Sequence, residues 1–393
     1  MKLLVFTTLY PNAEMPHHGV FVENRLRHLL ERSGYEARVI APVPWFSRML
    51  AGSSRHGHLA RVPMQEERHG ILVEHPRYLV IPKIGMTLAP FLLYASARRA
   101  LGRLLEKGEQ FDLIDAHYFY PDGVAAGLLA RAFDLPFTVT GRGTDLNLIP
   151  RYPIPRALIR RTAARASGLI TVCDALAGDL AALGVARERV TVLRNGVDLE
   201  AFRYDGEGAA ALIREQRLER PVLASVGHLI ERKAHDLVIR ALAGMEHATL
   251  LIAGTGPEEP RLRKLAEALG VSGRVRFLGR VDHDRLSAVY SAADGLVLAS
   301  SREGWPNVLL EAMACGTPVV ATAVNGSPEV VQSPVAGRIV GERTPEALRR
   351  AAEELLADPP ERAAVRAYAE GFSWDATSDG QMRLFEAIAG TAG

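Results

Sequence analysis

The stretch SREGWPNVLLEAMACGTPVV, Ser301 to Val320, decides how this chain is read. A glutamate stands on each side of a Trp-Pro-Asn turn, and the second, Glu311, lies in a run where almost every neighbour is apolar. A lone carboxylate in an apolar helix is costly unless something pairs with it. Pro306 suits a first helical position, because its missing N–H would have no partner there. Gly316 suits the residue that ends a helix. The pattern predicts a helix over Asn307 to Cys315 followed by strand TPVVAT. The free amides from Gly304 to Val308 favour negative charge at the helix start. The layout is an anion with a carboxylate on either side, each able to accept hydrogen bonds from hydroxyls. The bland alternative is a loop residue, Glu303, and a Glu311 paired to a structural arginine.

Short β-branched runs alternate with helical patterns on both sides of this stretch. LLVFTT, ARVIAP, ILVEHP, LIDAH, FTVT, LITVC and RVTVL come first; PVLASVG, ATLLIAG, RVRFLG, GLVLAS, TPVVAT and GRIV follow. They are continuous rather than alternating, as parallel strands covered on both faces require. Two successive α/β units are expected, with a break near LRNGVDLEAFRYDGEGAA: residues 1–200, 201–374, and a final amphipathic helix over 375–393. At 393 residues the chain is too long for one core.

Composition sets bounds. Only two cysteines occur, Cys173 and Cys315, which fits reduced thiols and a cytoplasmic setting. The N-terminal MKLLVFTTLYP reads as a first strand rather than a signal peptide. No apolar run reaches the ~18 residues of a membrane span. IGMTLAPFLLYASA, followed by Arg98-Arg99, is either a core helix or a bilayer-surface contact. The net charge is +2, yet residues 1–200 hold 25 Lys+Arg against 19 Asp+Glu. That half is expected to meet something anionic, although no nucleic-acid module is visible.

Ligands of open parallel sheets bind beyond the carboxyl ends of the strands. YPNAEMPHHG, HYFYPDG, GRGTD, GHLIERK, GTGPEE and SREGWPN all follow predicted strands, so two domains facing by these edges would form one cleft. Lys233 in GHLIERK is one of five lysines, and an ammonium there can neutralise a leaving diphosphate. Arg232 and His228 are candidates for the same anion, with a structural histidine the alternative for the latter. His117 ends a strand and is a candidate contact of the reacting sugar. Arg142 and Asp145 lie at the next strand end. GTGPEE lacks the third glycine of a dinucleotide fingerprint. Asp282-His283-Asp284 has the Asp-x-Asp form of metal-dependent sugar transferases but reads as a helix cap.

Together these residues resemble the retaining glycosyltransferases of family four, which have the GT-B architecture of two Rossmann-like domains. The likeness rests on Glu303-x7-Glu311 with EAMACGTPVVAT behind it, on LRNGVDLEAF, SVGHLIERK, NGSPEVV and FSW, and in the first half on TLYPNAEMPHHGVFVENRLRHL and TGRGTDLN. These last look like members that build bacterial cell-surface polysaccharides of the teichuronic-acid type. The resemblance implies an acceptor-side first domain and a nucleotide-sugar second domain, with the last helix returning to the first. It implies that Glu303 holds the donor sugar and Glu311 the ribose. Amides near Pro306, Asn307, Val308 and Leu309 and at Gly19 would meet the diphosphate with Lys233, and His117 would sit beside the anomeric carbon. Neither a metal nor a cofactor is implied, and the donor is UDP- or GDP-linked. Expected partners are a carbohydrate or lipid-linked acceptor and an anionic inner membrane face touched peripherally. The family commonly has arginine where this chain has His228, so either His228 does weaker duty there or Arg232, ahead of Arg142, supplies that charge. A nucleotide-sugar epimerase and a non-catalytic nucleotide-sugar-binding subunit are the competing readings.

Overall fold

The computed structural model describes residues 1–45, 57–80 and 85–391. The chain forms two compact units, one built from Met1–Arg194 together with the chain from Asp375 onward, the other from Asn195–Trp374. The division falls inside LRNGVDLEAF.

In the first unit, strands β1 (Lys2–Phe6), β2 (Glu36–Ile40), β3 (Val43–Trp45), β4 (Gln65–Arg68), β5 (Ile71–Glu74), β6 (Arg77–Leu79), β7 (Leu113–His117), β8 (Phe137–Gly141), β9 (Gly168–Thr171) and β10 (Val190–Val192) follow in chain order. Eight of them make one sheet in the order β10-β9-β8-β7-β1-β2-β5-β4, parallel except for β4 against β5. β3 and β6 pair separately. The second unit holds β11 (Val222–Val226), β12 (Thr249–Ala253), β13 (Val275–Gly279), β14 (Gly295–Leu298), β15 (Val319–Thr322) and β16 (Gly337–Val340). Their order, β13-β12-β11-β14-β15-β16, is fully parallel.

Every expected strand is present. β3, β4 and β6 were not expected, because QEER at β4 is polar and the other two span three residues each. Every residue of β7, β8, β9, β11, β12, β14 and β15 is buried. This is why these runs read as unbroken apolar sequence. The helices cover them with one-sided stripes: helix Pro345–Ala357 buries Ala347, Leu348, Ala351, Ala352 and Leu355, and Thr344 caps it by accepting the Ala347 N–H at 3.2 Å. Helix Gly85–Glu106, the core of IGMTLAPFLLYASA, buries Pro90, Leu93, Ala97, Ala100, Leu101 and Leu104. Ile84 lies outside the described residues. Among the described residues no helix is long and apolar enough to cross a membrane.

Helix Trp374–Thr391 joins the first unit through polar contacts as well as packing. Phe385 and Ile388 enter a core cluster with Leu3, Leu29, Leu113 and Ile170. Arg25 is 1% exposed; its Nε donates to Gln381 Oε1 at 2.9 Å and another guanidinium nitrogen to the Leu193 carbonyl at 3.0 Å. Burial pulls its pKa down to about 10, and Asp115 opposes the shift. Arg32 and Tyr35 add bonds to Asp379 and Glu386.

Arg25→Ala should therefore lower the unfolding free energy by about 3 kcal/mol, since it strands buried polar partners. Gln381→Ala should cost about 1 kcal/mol. Guanidinium denaturation checks both; an Arg25→Ala protein as stable as its parent would mean the helix docks without this contact.

Candidate functional site

Each sheet has one point where the strand order reverses, and ligands settle there. In the second unit it lies between β11 and β14, whose following loops carry Lys233 and Glu303. In the first it lies between β1 and β7: Gly19 is in the loop after β1, and His117 is the last residue of β7.

In the second unit β11 ends at Val226, just before Gly227, and a short turn Glu231–Lys233 leads into helix His235–Ala243. The Ser301 N–H donates to the Arg232 carbonyl at 2.9 Å, which ties this turn to the loop after β14. Glu303 lies between them, 7% exposed. Its Oε1 accepts from Lys233 Nζ at 2.6 Å and from the Ser300 hydroxyl at 2.6 Å. Its Oε2 accepts from Arg232 at 3.2 Å, and Arg232 also donates to the Arg302 carbonyl at 2.9 Å. The Glu303 N–H donates to Asn325 Oδ1 at 3.2 Å. Burial alone would raise the Glu303 pKa, but the Lys233 and Arg232 charges, with the Lys233 and Ser300 hydrogen bonds, hold it below the ordinary carboxylate value. Glu303 is therefore an ionised, buried anion clamped between two cations.

Among the described residues Glu311 is not paired to an arginine. Its Oε2 accepts the hydroxyl of the fully buried Tyr290 at 2.7 Å, and burial raises its pKa although that hydroxyl opposes the rise. The intervening helix runs Asn307–Ala314, with Pro306 at the cap and Gly316 beyond its end at φ +77°. Pro306 is thus one position earlier than expected: its φ −83°, ψ 81° are not helical. The expected amides are also fewer. The Asn307 N–H donates to the Trp305 carbonyl and the Leu309 N–H to the Pro306 carbonyl, and Pro306 has none. Among the described residues the N–H groups of Gly304 and Val308 donate no hydrogen bond. His228 is exposed on the turn after Gly227 and makes none of the contacts to Glu303; Arg232 does. Gly254 of GTGPEE serves packing: at φ +141°, a Cβ there would lie 1.9 Å from the Gly227 carbonyl oxygen. Asp282 occupies the cap position of a 3-10 turn, His283–Arg285, without a side-chain capping bond. Among the described residues no group of three metal-ligating side chains occurs.

In the first unit His117 is buried, 2% exposed, rather than a free strand-end contact. Its Nε2 lies 3.3 Å from Asp115 Oδ2 and its Nδ1 2.7 Å from an Arg142 guanidinium nitrogen. Arg142 can only donate, so Nδ1 accepts and the proton sits on Nε2, facing Asp115. Burial lowers the His117 pKa to about 4, with Asp115 opposing and Arg142 reinforcing the shift. Arg142 stacks over the Phe21 ring at 5.2 Å. Two residues before Phe21, Gly19 precedes helix Val20–Ser33 at φ +74°, and a Cβ there would lie 2.3 Å from the Leu9 carbonyl carbon. Asp145 accepts the N–H groups of Phe119, Arg142 and Gly143 at 2.7, 3.1 and 2.7 Å. It is a clamp joining the loops after β7 and β8, with its pKa raised to about 6 by burial.

The structure thus joins Arg232, Lys233 and Glu303 in one unit, and His117 and Arg142 near Phe21 in the other. Sequence reasoning missed Ser300, Asn325, Tyr290 and Asp115. Only Asp115 carried a signal: in LIDAH it stands two residues before His117, on the same face of a strand.

The neutral form of His117 is the one the fold accepts. Its folded pKa of about 4 lies below the ordinary ~6.5, so its contribution is complete above about pH 6.5 and lost as pH falls towards 4. Asp122 and Asp145, raised to about 7 and about 6, act in the opposite sense over the same range. His117→Gln keeps a donor and an acceptor but cannot titrate. It should lose on the order of 2–3 kcal/mol less stability than the parent between pH 6.5 and 4. Melting temperature against pH for both proteins checks this, and parallel curves would refute it.

Comparison with known proteins bears on this arrangement. A family model described as glycosyl transferases group 1 matches residues 212–372, and one described as glycosyltransferase family 4 matches residues 19–201. The D-inositol 3-phosphate glycosyltransferase of Salinispora tropica is 34% identical over 332 residues, covering 76% of this chain and 67% of the relative. The putative teichuronic acid biosynthesis glycosyltransferase TuaC of Bacillus subtilis is 28% identical over 333 residues, 83% of this chain and 82% of the relative. Anabaena HepE, solved with UDP and with UDP-glucose, gives TM-scores of 0.71 and 0.73 at 21% and 19% identity. Those matches span 100% of this chain and 99% and 98% of the HepE chains. The shared architecture is the GT-B fold.

Proposed function

This chain belongs to glycosyltransferase family 4, and from that premise we propose that it moves a sugar from a UDP- or GDP-linked donor to an acceptor hydroxyl with retained anomeric configuration. The observation that carries the reading is the clamp of Glu303 by Lys233 and Arg232 at a sheet's switch point. Two cations and a carboxylate in one partly covered spot suit a ligand with a diphosphate beside sugar hydroxyls. On donor entry Lys233 and Arg232 would turn their charge to the diphosphate, with the Gly304 and Val308 amides at the helix start beside them. Glu303, released from part of its ion pair, would accept hydrogen bonds from donor-sugar hydroxyls. Glu311, held by Tyr290, has an oxygen left for the ribose.

In the first unit the Gly19 amide and Arg142 are proposed to face the donor's phosphates and sugar, with His117 fixing the Arg142 guanidinium. In the step itself the bond from the anomeric carbon to the phosphate oxygen breaks, and the acceptor oxygen bonds that carbon on the same face. The acceptor's proton goes to the departing phosphate. No side-chain base is needed, and the cationic charge comes from Lys233 and Arg232 rather than a metal. The acceptor is read as a carbohydrate or lipid-linked glycan of a cell-surface polysaccharide or glycolipid, used at the cytoplasmic face of a membrane. The name of the Bacillus subtilis relative and the UDP-glucose bound by HepE support that direction.

A thermal-shift screen of UDP, GDP and their sugars tests donor binding; a ligand at 100 times its Kd stabilises by about 2.7 kcal/mol. Glu303→Ala and Lys233→Ala should each reduce sugar transfer by about 100-fold or more in protein that still folds, with a lowered melting temperature because each leaves its partner's buried charge uncovered. Full turnover by either variant would remove the assignment.

A further inference from the structure

A second feature of the first unit has no role in donor chemistry. A cavity of ≈ 390 Å³ opens among the short helix Thr144–Asn147 and the helices Pro153–Arg165 and Asp174–Ala182. Arg151, Arg156 and Arg160 line it with one carboxylate, Asp179, over a floor that includes Leu146 and Leu183. Its volume falls in the range of small-molecule sites, ~300–1,000 Å³.

The charges in it are uncompensated. Residues 151–165, RYPIPRALIRRTAAR, contain five arginines and no acid. Among the described residues neither Arg151 nor Arg160 is ion-paired. Arg156 is braced instead by backbone: its Nε donates to the Pro150 carbonyl at 2.6 Å. Among the described residues Asp179 forms no ion pair with them, and its buried Oδ2 accepts no hydrogen bond. An unsatisfied buried carboxylate oxygen is costly to leave so, and burial raises the pKa of this carboxyl. A simple anion would suit the guanidiniums but would face Asp179. A neutral sugar would satisfy Asp179 and leave the guanidiniums idle. Guanidinium groups match phosphoryl oxygens in charge and geometry, and a hydroxyl can donate to the Asp179 carboxylate at the cavity wall.

We propose that this cavity binds a phosphorylated, hydroxyl-bearing compound, its phosphoryl group on Arg151, Arg156 and Arg160 and a hydroxyl donating to Asp179. The same group could be presented free or as a lipid head group. The binding claim stands on the cavity; that the occupant is the acceptor, or its anionic end, rests on the transferase reading.

Isothermal titration of the full chain with glucose 6-phosphate and glycerol 3-phosphate should give saturable binding. The double variant Arg151→Ala/Arg160→Ala should weaken it at least tenfold. Asp179→Asn should weaken glucose 6-phosphate but leave inorganic phosphate equal or tighter. If the source is a lipid, vesicles of phosphatidylcholine with phosphatidylinositol 4-phosphate will bind and glucose 6-phosphate will displace them. The proposal is overturned by an absence of saturable binding, by equal affinity in the double variant, or by Asp179→Asn treating sugar phosphate and inorganic phosphate alike. Vesicle binding that glucose 6-phosphate does not displace overturns it too. Stabilisation by UDP reports on the other unit. If it persists while the phosphates fail to bind, only this inference falls; if it is absent while they bind, only the donor reading falls.

Discussion

The structure of the second unit is organised by one electrostatic constraint, the need to keep Glu303 ionised where water scarcely reaches it. Removing a carboxylate from water costs several kcal/mol unless opposite charge and hydrogen bonds replace the lost hydration. Here they come from three side chains, Lys233 and Arg232 on one loop and Ser300 on the loop after β14, while Asn325 beyond β15 accepts the Glu303 backbone N–H. The loops after three neighbouring strands thus meet at a single residue. A site assembled this way is pre-organised, because moving either of the first two loops leaves a charge uncovered.

The first unit solves a related problem in a different manner. Its buried charges include Asp115 and Arg142, on either side of His117, whose imidazole is neutral and orients the guanidinium. Asp145 spends its carboxylate on three backbone N–H groups, so it shapes the loops rather than meeting ligand. Carboxylate clamps of this sort convert strand ends, which are otherwise free to wander, into fixed platforms.

Much of this was legible in the chain because parallel strands leave a strong trace. Runs such as LITVC and PVVAT are apolar throughout, since both faces of the sheet are covered, and the polar clusters between them mark the strand ends. The short edge pieces β3, β4 and β6 left no such trace: QEER looks like a solvated turn, and its strand character comes only from pairing with β5. For the site, Glu303 and Lys233 stood out by position. Their supporting groups did not, because Ser300 and Asn325 are ordinary polar residues until the fold brings them to Glu303, one to its carboxylate and one to its backbone N–H. Pairings across long separations, such as Tyr290 to Glu311 or Arg25 to Gln381, leave nothing in local spacing to detect. Asp115 is the exception, since two-residue spacing along a strand is readable.

The helix Trp374–Thr391 carries a consequence for how the protein comes into being. Its partners Leu3, Leu29 and Arg25 leave the ribosome before any residue of the second unit, whereas Gln381 and Phe385 emerge after all of it. Nascent chains tend to fold unit by unit from the amino end, yet this one cannot close its opening unit on that schedule. A strip of apolar surface and a desolvation-ready arginine must wait through the synthesis of the whole intervening unit, and that interval is when the nascent chain is most exposed to chaperones and to association with its own kind.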